Sequence, residues 1–409
     1  MTNERLPLAG LRVADFSRVV AGPYSTYLLA RMGAEVVKIE GISPMDHTRE
    51  VGPYTDATQD RNRSGYFSAV NAAKKSVSLQ LSDSVQAAMA REIAEQSDVV
   101  VESFLAGGME RFGLGYATLS AANPKLVMVS CSGFGRTGPM ASHSAYMNTI
   151  AAFVGLTSLN SKGGFPTPVG ATFSDLVAGT SIAYAALLAV RRARATGEGA
   201  LIDLSMAEAT MSLMGEPFTA HFAGDADSAT PHVPQNVYRT RGDDKWIALS
   251  IRTDEQWANL VRVMGSPAWA GSELITRTGR VANAATIDSR LKEWVRPFDN
   301  VELTATLQAA GVPAVPSSDP EDVVSNPHFR ARGAMAPQDY ALEPGRIVPN
   351  LPWHFGAHPG LDHVVPAPPK LGEHNHEVLS GLRSATQELI DEISALAAKA
   401  ASGHGGHLP

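Results

Sequence analysis

Cysteine is almost missing: Cys131 is the single one in 409 residues. An intrachain disulfide and a cysteine-based zinc cluster are thereby excluded. Charged residues are sparse at 18%, and the net charge of −7 argues against a general nucleic-acid binder. A local basic site for an anionic ligand stays open. No apolar run of about 18 residues stands out as a membrane span, and no hydrophobic leader precedes Leu6. The expectation is a protein of the cytoplasm with neither membrane nor nucleic-acid partner. The G-x-S-x-G elbow and the H-E-x-x-H helix are both absent. Among the histidines only His374 and His376 have ligand-like spacing, in a loop beside proline and glycine, so no metal site is expected. The tail 401–409, with His404 and His407, reads as disordered.

Acid is missing locally as well. From Arg111 to Ser174 there is no Asp or Glu, while Arg111, Lys125, Arg136 and Lys162 fall in that stretch. The run ends at one carboxylate, Asp175, followed by a small, apolar, helix-like segment, Leu176 to Val190. Asp at the mouth of a helix suits an N-cap, where free N–H groups and the macrodipole favour negative charge. It equally suits a carboxylate kept ionised to act on a substrate. An ordinary Asp, with pKa ~3.9, is about 99.9% ionised at pH 7 and needs no general base.

What is present is a β-α alternation. Leu11–Ser17, Ala34–Glu40, Ser76–Leu81, Asp98–Glu102, Leu126–Ser132 and Ala200–Ser205 read as strands. Helical spacing falls on Pro23–Met32, on a segment capped by Ser82 or Asp83 and running to about Gln96, and on Met206–Met214. Repeated units of this kind predict an α/β fold, a doubly wound domain with right-handed crossovers. Gly41 to Tyr66 reads as a long polar loop, and Gly224 to Asn236 as a linker. A second α/β unit follows, with a strand at Trp246–Ile251 and helices at Asp254–Met264, Ile287–Pro297 and Val301–Ala310. Ala336–Pro369 reads as an extended connection with short strands, and Glu377–Ala400 as one helix. Cys131 falls in an apolar strand and reads as a buried structural thiol.

Gly133-Phe134-Gly135-Arg136-Thr137-Gly138 matches the G-x-G-x-x-G turn of dinucleotide binders. A nicotinamide oxidoreductase would also need an acid about 20 residues on for the ribose, and the acid-free run denies it. The run is not a P-loop, because Pro139 and Met140 follow Gly138.

Taken in order, the segments LPLAGLRVADFSRVVAGPYSTYLLARMGAEVVKIE, NAAKKSVSLQL, VVVESFLAGGMERFGLGY, NPKLVMVSCSGFGRTGP, TFSDLVAGT, AAGVPAVP and PPKLGEHNHEVL resemble the class III CoA-transferase family. This family includes formyl-CoA and carnitine-type CoA-transferases and α-methylacyl-CoA racemases. The resemblance covers about 370 residues. It implies a Rossmann-like large domain built from both chain ends (1–205 and 326–409). It further implies a linker at 206–229, a smaller inserted domain at 230–325, and two subunits interlocked as a homodimer. Its partners would be an acyl-CoA and a carboxylic acid, with coenzyme A a substrate and no resident cofactor.

By the same resemblance Asp175 is the catalytic carboxylate. Val20 and Ala21 offer backbone contacts to the nucleotide. Ala73, Lys74 and Lys75 form the basic segment, Ser103 and Phe104 the segment after the fourth strand. Arg111 meets phosphate, and Ala145 and Tyr146 complete the set. Backbone N–H groups of Gly133–Gly138 or Gly179 are candidates for an oxyanion site. The chain departs from the family at Ser103 and Leu105, where Asn and Arg are common, and at Gly41, where some members carry Arg. A glycine-run lid is not evident near Val233–Arg239. Racemases of the family place a His where this chain has Tyr146, a poor base at pH 7; His143 is three residues away. CoA transfer is therefore preferred to racemisation. A non-catalytic CoA-binding protein remains the further alternative, which retention of Asp175 weakens.

Overall fold

Strands buried on both faces need near-continuous apolar runs, and the chain supplies them: VVVE at Val99–Glu102 and VMVSCS at Val127–Ser132 are buried throughout. The structure, a computed structural model, describes residues 6–54, 60–160, 164–170, 172–224, 232–355 and 364–402. Six strands form one parallel sheet: β1 (Arg12–Asp15), β2 (Glu35–Glu40), β3 (Lys75–Ser78), β4 (Val99–Glu102), β5 (Val127–Ser132) and β6 (Ala200–Ser205). Their spatial order is β3-β2-β1-β4-β5-β6, the doubly wound order with its reversal between β1 and β4. Val13 lies opposite Val36 on one side and Val99 on the other, which fixes the register at that switch point.

The strand period of two divides the core. Val13, Val36, Val99, Val101, Val127, Val129 and Cys131 pack on one face, with the helices Ala21–Arg31 and Phe173–Thr196. Ala14, Val37, Val77, Val100 and Met128 pack on the other, with the helix Ser84–Glu95 and with Leu379, Ile390 and Ile393 from the chain's far end. The predicted cap of Ser84–Glu95 is Asp83, whose side chain accepts from the N–H groups of Val85 and Gln86. The segment expected as one helix at Glu377–Ala400 is two, Asn375–Leu379 and Gln387–Ala401. The polar stretch Gly41–Tyr66 is not all loop, since it holds a turn of helix at His47–Glu50 and the start of another, Gly65–Asn71.

One expectation about apolar runs is corrected. The helix Phe173–Thr196 contains an 18-residue window of mean hydropathy 1.6, long and apolar enough to cross a membrane by length and composition. Nearly half of that window is buried against the protein, as in a core helix. The small side chains Ala178, Ala183 and Ala186 on its inner face are what let it pack so closely.

The chain divides into two compact units, residues 1–215 with 333–409, and 216–332. The helix Met206–Met211 packs in the larger unit, and Ala207 donates its N–H to the Gly133 carbonyl. A short antiparallel pair, β10 (Met335–Pro337) with β11 (Ile347–Pro349), lies in the larger unit's return segment. The smaller unit holds an antiparallel sheet of β7 (Gln235–Arg239), β8 (Trp246–Ser250) and β9 (Ala314–Ser317). Helices Asp254–Val263, Ala284–Val295 and Asn300–Ala309 cover one face, around Tyr238, Ile247, Trp257 and Leu291. The tail histidines, Lys162 and residues 225–231 of the expected linker segments fall outside the described residues.

Candidate active site

Buried charge collects at the carboxyl ends of the parallel strands. Asp15 ends β1, Lys38 and Glu40 lie on β2, and Glu102 ends β4, all at most 4% exposed. Charges are buried only when paired, and these are. Lys74 Nζ meets Asp15 at 3.0 Å, Lys38 Nζ meets Asp46 at 3.1 Å, and Arg49 grips Glu40 at 2.8 Å. In doubly wound folds ligands bind beside these strand ends, at the switch point.

Asp175 lies on this side, but not as a cap. The N-cap is Thr172, in left-handed backbone at φ 65, and Asp175 is the third residue of the helix. The capping interpretation is thereby corrected. Four residues on, Gly179 touches the first helix: a Cβ there would lie 2.6 Å from the Ala21 carbonyl oxygen and 3.0 Å from Tyr24. Asp175 shares that helix face, and the nearby Ala21 N–H favours the charged form of its half-buried carboxylate.

Burial raises the Asp175 pKa to about 6, offset in part by its own N–H and that of Ala21. The carboxyl is therefore not an ordinary one: at pH 7 roughly one molecule in ten is protonated, not one in a thousand. Two neighbours feel its charge. The Tyr66 phenol is raised by burial first and then by Asp175. The Cys131 thiol, buried as expected, is raised by burial and by Glu102, Asp175 and Asp203. Ser132 and Ser174 have buried hydroxyls without partners among the described residues.

The remaining candidates spread along the strand ends. Val20, buried, is the N-cap of the first helix, and Ala21 is its first residue. Ser103 Oγ accepts the Arg18 N–H at 2.9 Å. Phe104 lines a cleft of about 420 Å³ with Arg18, Lys38, Gly41, Gln80 and Phe112. Arg111 lines an adjoining cleft of about 360 Å³ with Ser82, Ser84, Arg91 and Phe112. Tyr146 is 70% exposed and precedes the helix Met147–Phe153. The Thr172 N–H meets Met147 Sδ at 2.6 Å, so this segment adjoins the start of the Asp175 helix. Ala145 packs on Gly133, where an added Cβ would come within 2.8 Å of the Ala145 methyl.

The basic pair is engaged elsewhere. Lys74 spends its three ammonium protons on Asp15, the Pro23 carbonyl at 2.8 Å and Asn71 at 2.8 Å. None is left for a phosphate, and burial brings its pKa down to about 8. Lys75 bridges Glu35 at 2.7 Å and Glu377 at 2.8 Å. Ala73, at φ 65, hands its N–H to the Ala367 carbonyl. This segment ties the sheet to the returning chain.

The glycine run follows β5, not β1, and is held internally. The Arg136 N–H donates to both Asp203 oxygens, at 2.9 and 3.1 Å, and its guanidinium reaches Glu102 at 3.3 Å and Glu110 at 2.5 Å. Three acids around the turn suit no pyrophosphate. His374 Nδ1 accepts the Ser76 N–H, and His376 lies 3.5 Å from Asp391. Among the described residues no three metal-ligating side chains converge.

Tyr66, Asp46, Arg18 and Arg91 were not legible as site residues. The first two lie in a stretch that reads as loop. The arginines carry no local pattern beyond being basic.

A 3-2-1-4-5-6 parallel sheet with raised carboxyls at Asp175 and Glu102 beside its switch point, and arginine-lined clefts next to it, fits an α/β enzyme for a nucleotide-bearing substrate. Residues 8–375 match CoA-transferase family III, and the chain belongs to that family. It is 31% identical over 406 residues to the succinyl-CoA–L-malate CoA-transferase beta subunit of Chloroflexus aurantiacus, covering 96% of this chain and 98% of that protein. It is 30% identical to the succinate–glutarate CoA-transferase of Agrobacterium fabrum, covering 94% and 98%. A CAIB/BAIF family protein from Brucella suis has the same fold, with TM-score 0.82 and 28% identity over 92% of this chain and 99% of that one. The protein is a CoA-transferase.

Proposed function

We propose that Asp175 is the nucleophile of a double-displacement CoA transfer. Its carboxylate attacks the thioester carbonyl of an acyl-CoA, forming a mixed anhydride and releasing CoA thiolate. The thiolate attacks the aspartyl carbonyl of the anhydride, expelling the donor carboxylate and leaving an aspartyl-CoA thioester. An incoming carboxylate attacks that thioester, and the returning thiolate collects the new acyl group, freeing Asp175. Atoms and charge balance with no further reagent. The observation that carries this is one half-buried carboxylate at the strand ends, its charged form favoured by the nearby Ala21 N–H. Partial desolvation makes a weak nucleophile more reactive.

Succinyl-CoA is the first donor to try, because both relatives above are named for succinyl-CoA or succinate. Coenzyme A enters as substrate, with its nucleotide end in the clefts of Phe104 and Arg111. The outer face of the Asp175 helix exposes Tyr184 (67%) and Leu188 (48%), and the edge strand β6 exposes Leu201 (43%). These apolar groups support burial against a second subunit, in the interlocked homodimer and two-domain arrangement expected from the family. One relative is named a beta subunit, so a paired, non-identical chain is the competing arrangement. The cytoplasm, where CoA esters are made and used, is the expected compartment.

The test is incubation with succinyl-CoA and a panel of carboxylic acids, followed by mass spectrometry. New acyl-CoA esters and a hydroxylamine-trapped adduct on the Asp175 peptide are expected. Normal transfer by Asp175→Ala would overturn the assignment.

A further inference from the structure

The turn between β1 and the first helix is strained and tied from several sides. Val19 sits at φ 69, a left-handed conformation that a β-branched residue adopts only when its surroundings enforce it. Just before it, the Arg18 N–H donates to Ser103 Oγ at 2.9 Å, from the segment after β4. The Val19 N–H itself donates to Asp46 Oδ1 at 3.3 Å. Asp46 is 2% exposed, and the same oxygen accepts from the Thr48 N–H and hydroxyl. Lys38 joins the two ends of this tie, with Nζ 3.1 Å from Asp46 and 2.9 Å from the Ser17 carbonyl. The Arg18 guanidinium lies on the carbonyls of Met45 and Pro44. Two residues past the strained Val19 comes Ala21, whose carbonyl oxygen packs on Gly179, one turn along the helix from Asp175, and whose N–H favours the charged form of that carboxylate.

We propose that Asp46 and Ser103 are positioning residues for the transfer reaction: they hold Val19 in its left-handed turn, and so keep Ala21 packed on the Asp175 helix at Gly179 with its N–H beside the Asp175 carboxylate. The proposal rests on Asp175 as nucleophile. Neither residue touches the reacting atoms. Without the ties Val19 relaxes to negative φ, the start of the helix shifts, and the carboxylate loses both a donor and its aim.

The sign of a pH shift separates this from simpler effects. The ionisable groups that sense Asp175 are Tyr66, on the helix Gly65–Asn71, and Cys131, on β5, and both titrate far above neutrality. Asp46 also acts on Tyr66. Removing the Asp46 charge by Coulomb effect alone would move the acid limb of the rate profile down. Losing the Ala21 donor moves it up.

The experiment measures kcat, KM and the pH profile of transfer for Asp46→Ala, Ser103→Ala and the double variant Asp46→Ala with Val19→Gly, with thermal melts alongside. Asp46→Ala and Ser103→Ala are expected to lower kcat about tenfold, through lost aim. Their acid limbs are expected to move up by roughly half a pH unit or more, and the KM for acyl-CoA to change by less than about threefold. Val19→Gly is expected to return kcat of Asp46→Ala to within about threefold of the parent, because glycine adopts that turn unaided. Should Asp46→Ala fail to fold, Ser103→Ala, which strands no charge, decides alone. An unmoved or lowered acid limb with retained kcat in Ser103→Ala overturns the proposal. So does a Val19→Gly rescue of melting temperature without rescue of kcat. A wild-type enzyme that yields no Asp175 adduct sinks the nucleophile instead, and that outcome is distinct.

Discussion

Gly179 and Ala21 are in backbone contact: a Cβ on Gly179 would stand 2.6 Å from the Ala21 carbonyl oxygen. That separation is one no real side chain tolerates, so Gly179→Ala must push the two helices apart. Overpacking of this kind costs about 1–3 kcal/mol. The larger effect is expected on catalysis, since the same displacement takes the Ala21 N–H from Asp175, and a misplacement near 1 Å costs on the order of 100-fold in rate. Melting temperature and kcat of Gly179→Ala check both. A near-normal kcat would show that the helix contact does not aim the carboxylate.

Asp175 sets a conflict between stability and activity. Its pKa is raised from 3.8 to about 6 by burial, so the folded state prefers the neutral acid. The corresponding stability is fully present below the unfolded value near 4 and is lost as pH rises through 6. At pH 7 the ionised form therefore weakens the fold. Asp175→Asn is expected to stabilise the protein by about 1 kcal/mol at pH 7, after discounting for partial exposure, with little change at pH 4. Transfer should be abolished, while in the wild type it falls below pH 6. Denaturation of both proteins at the two pH values, with a rate profile, tests each limb.

Lys74 and Asp15 make the opposite case. Their side chains are wholly buried, and Asp15 is lowered to about 2, against burial, by Lys74, Lys38 and hydrogen bonds from Ser17 and Thr26. This contribution is present above pH 4 and lost as pH falls toward 2. Lys74→Met strands a buried carboxylate, which costs about 3–5 kcal/mol. If Lys74 served a phosphate, the variant would instead keep its melting temperature and raise KM for acyl-CoA.

Sequence patterning exposed most of this architecture because both determinants are local. Apolar runs such as VVVE and VMVSCS mark strands buried on both faces, and Asp83 before an amphipathic stretch marks a helix start. Asp175 stood out through the acid-free run before it. Its true place, three residues into the helix, depends on Thr172 adopting left-handed backbone, which no side-chain pattern announces. Lys74 and Lys75 look alike in NAAKKSV, and only the fold shows that one is buried on Asp15 and the other bridges Glu35 and Glu377. Tyr66 and Asp46 were hidden because their partners are brought close by long-range packing. The Asp175 helix reads as apolar without revealing which face stays exposed, as Tyr184 and Leu188 do.

Arg111 offers the sharpest test of where the nucleotide end sits. It lines the same cleft as Arg91 and Ser82, next to the cleft of Phe104, and two guanidinium groups there suit a phosphate. Removing a charge-assisted hydrogen bond from substrate and transition state alike raises KM and leaves kcat alone. Arg111→Ala is expected to raise KM for acyl-CoA about tenfold, equivalent to about 1.4 kcal/mol. With the 3′-dephospho form of the same thioester, wild type and variant should converge if Arg111 meets the 3′-phosphate. If the substitution weakens both thioesters equally, the guanidinium meets the pyrophosphate, and if it weakens neither, the cleft is not part of the CoA site.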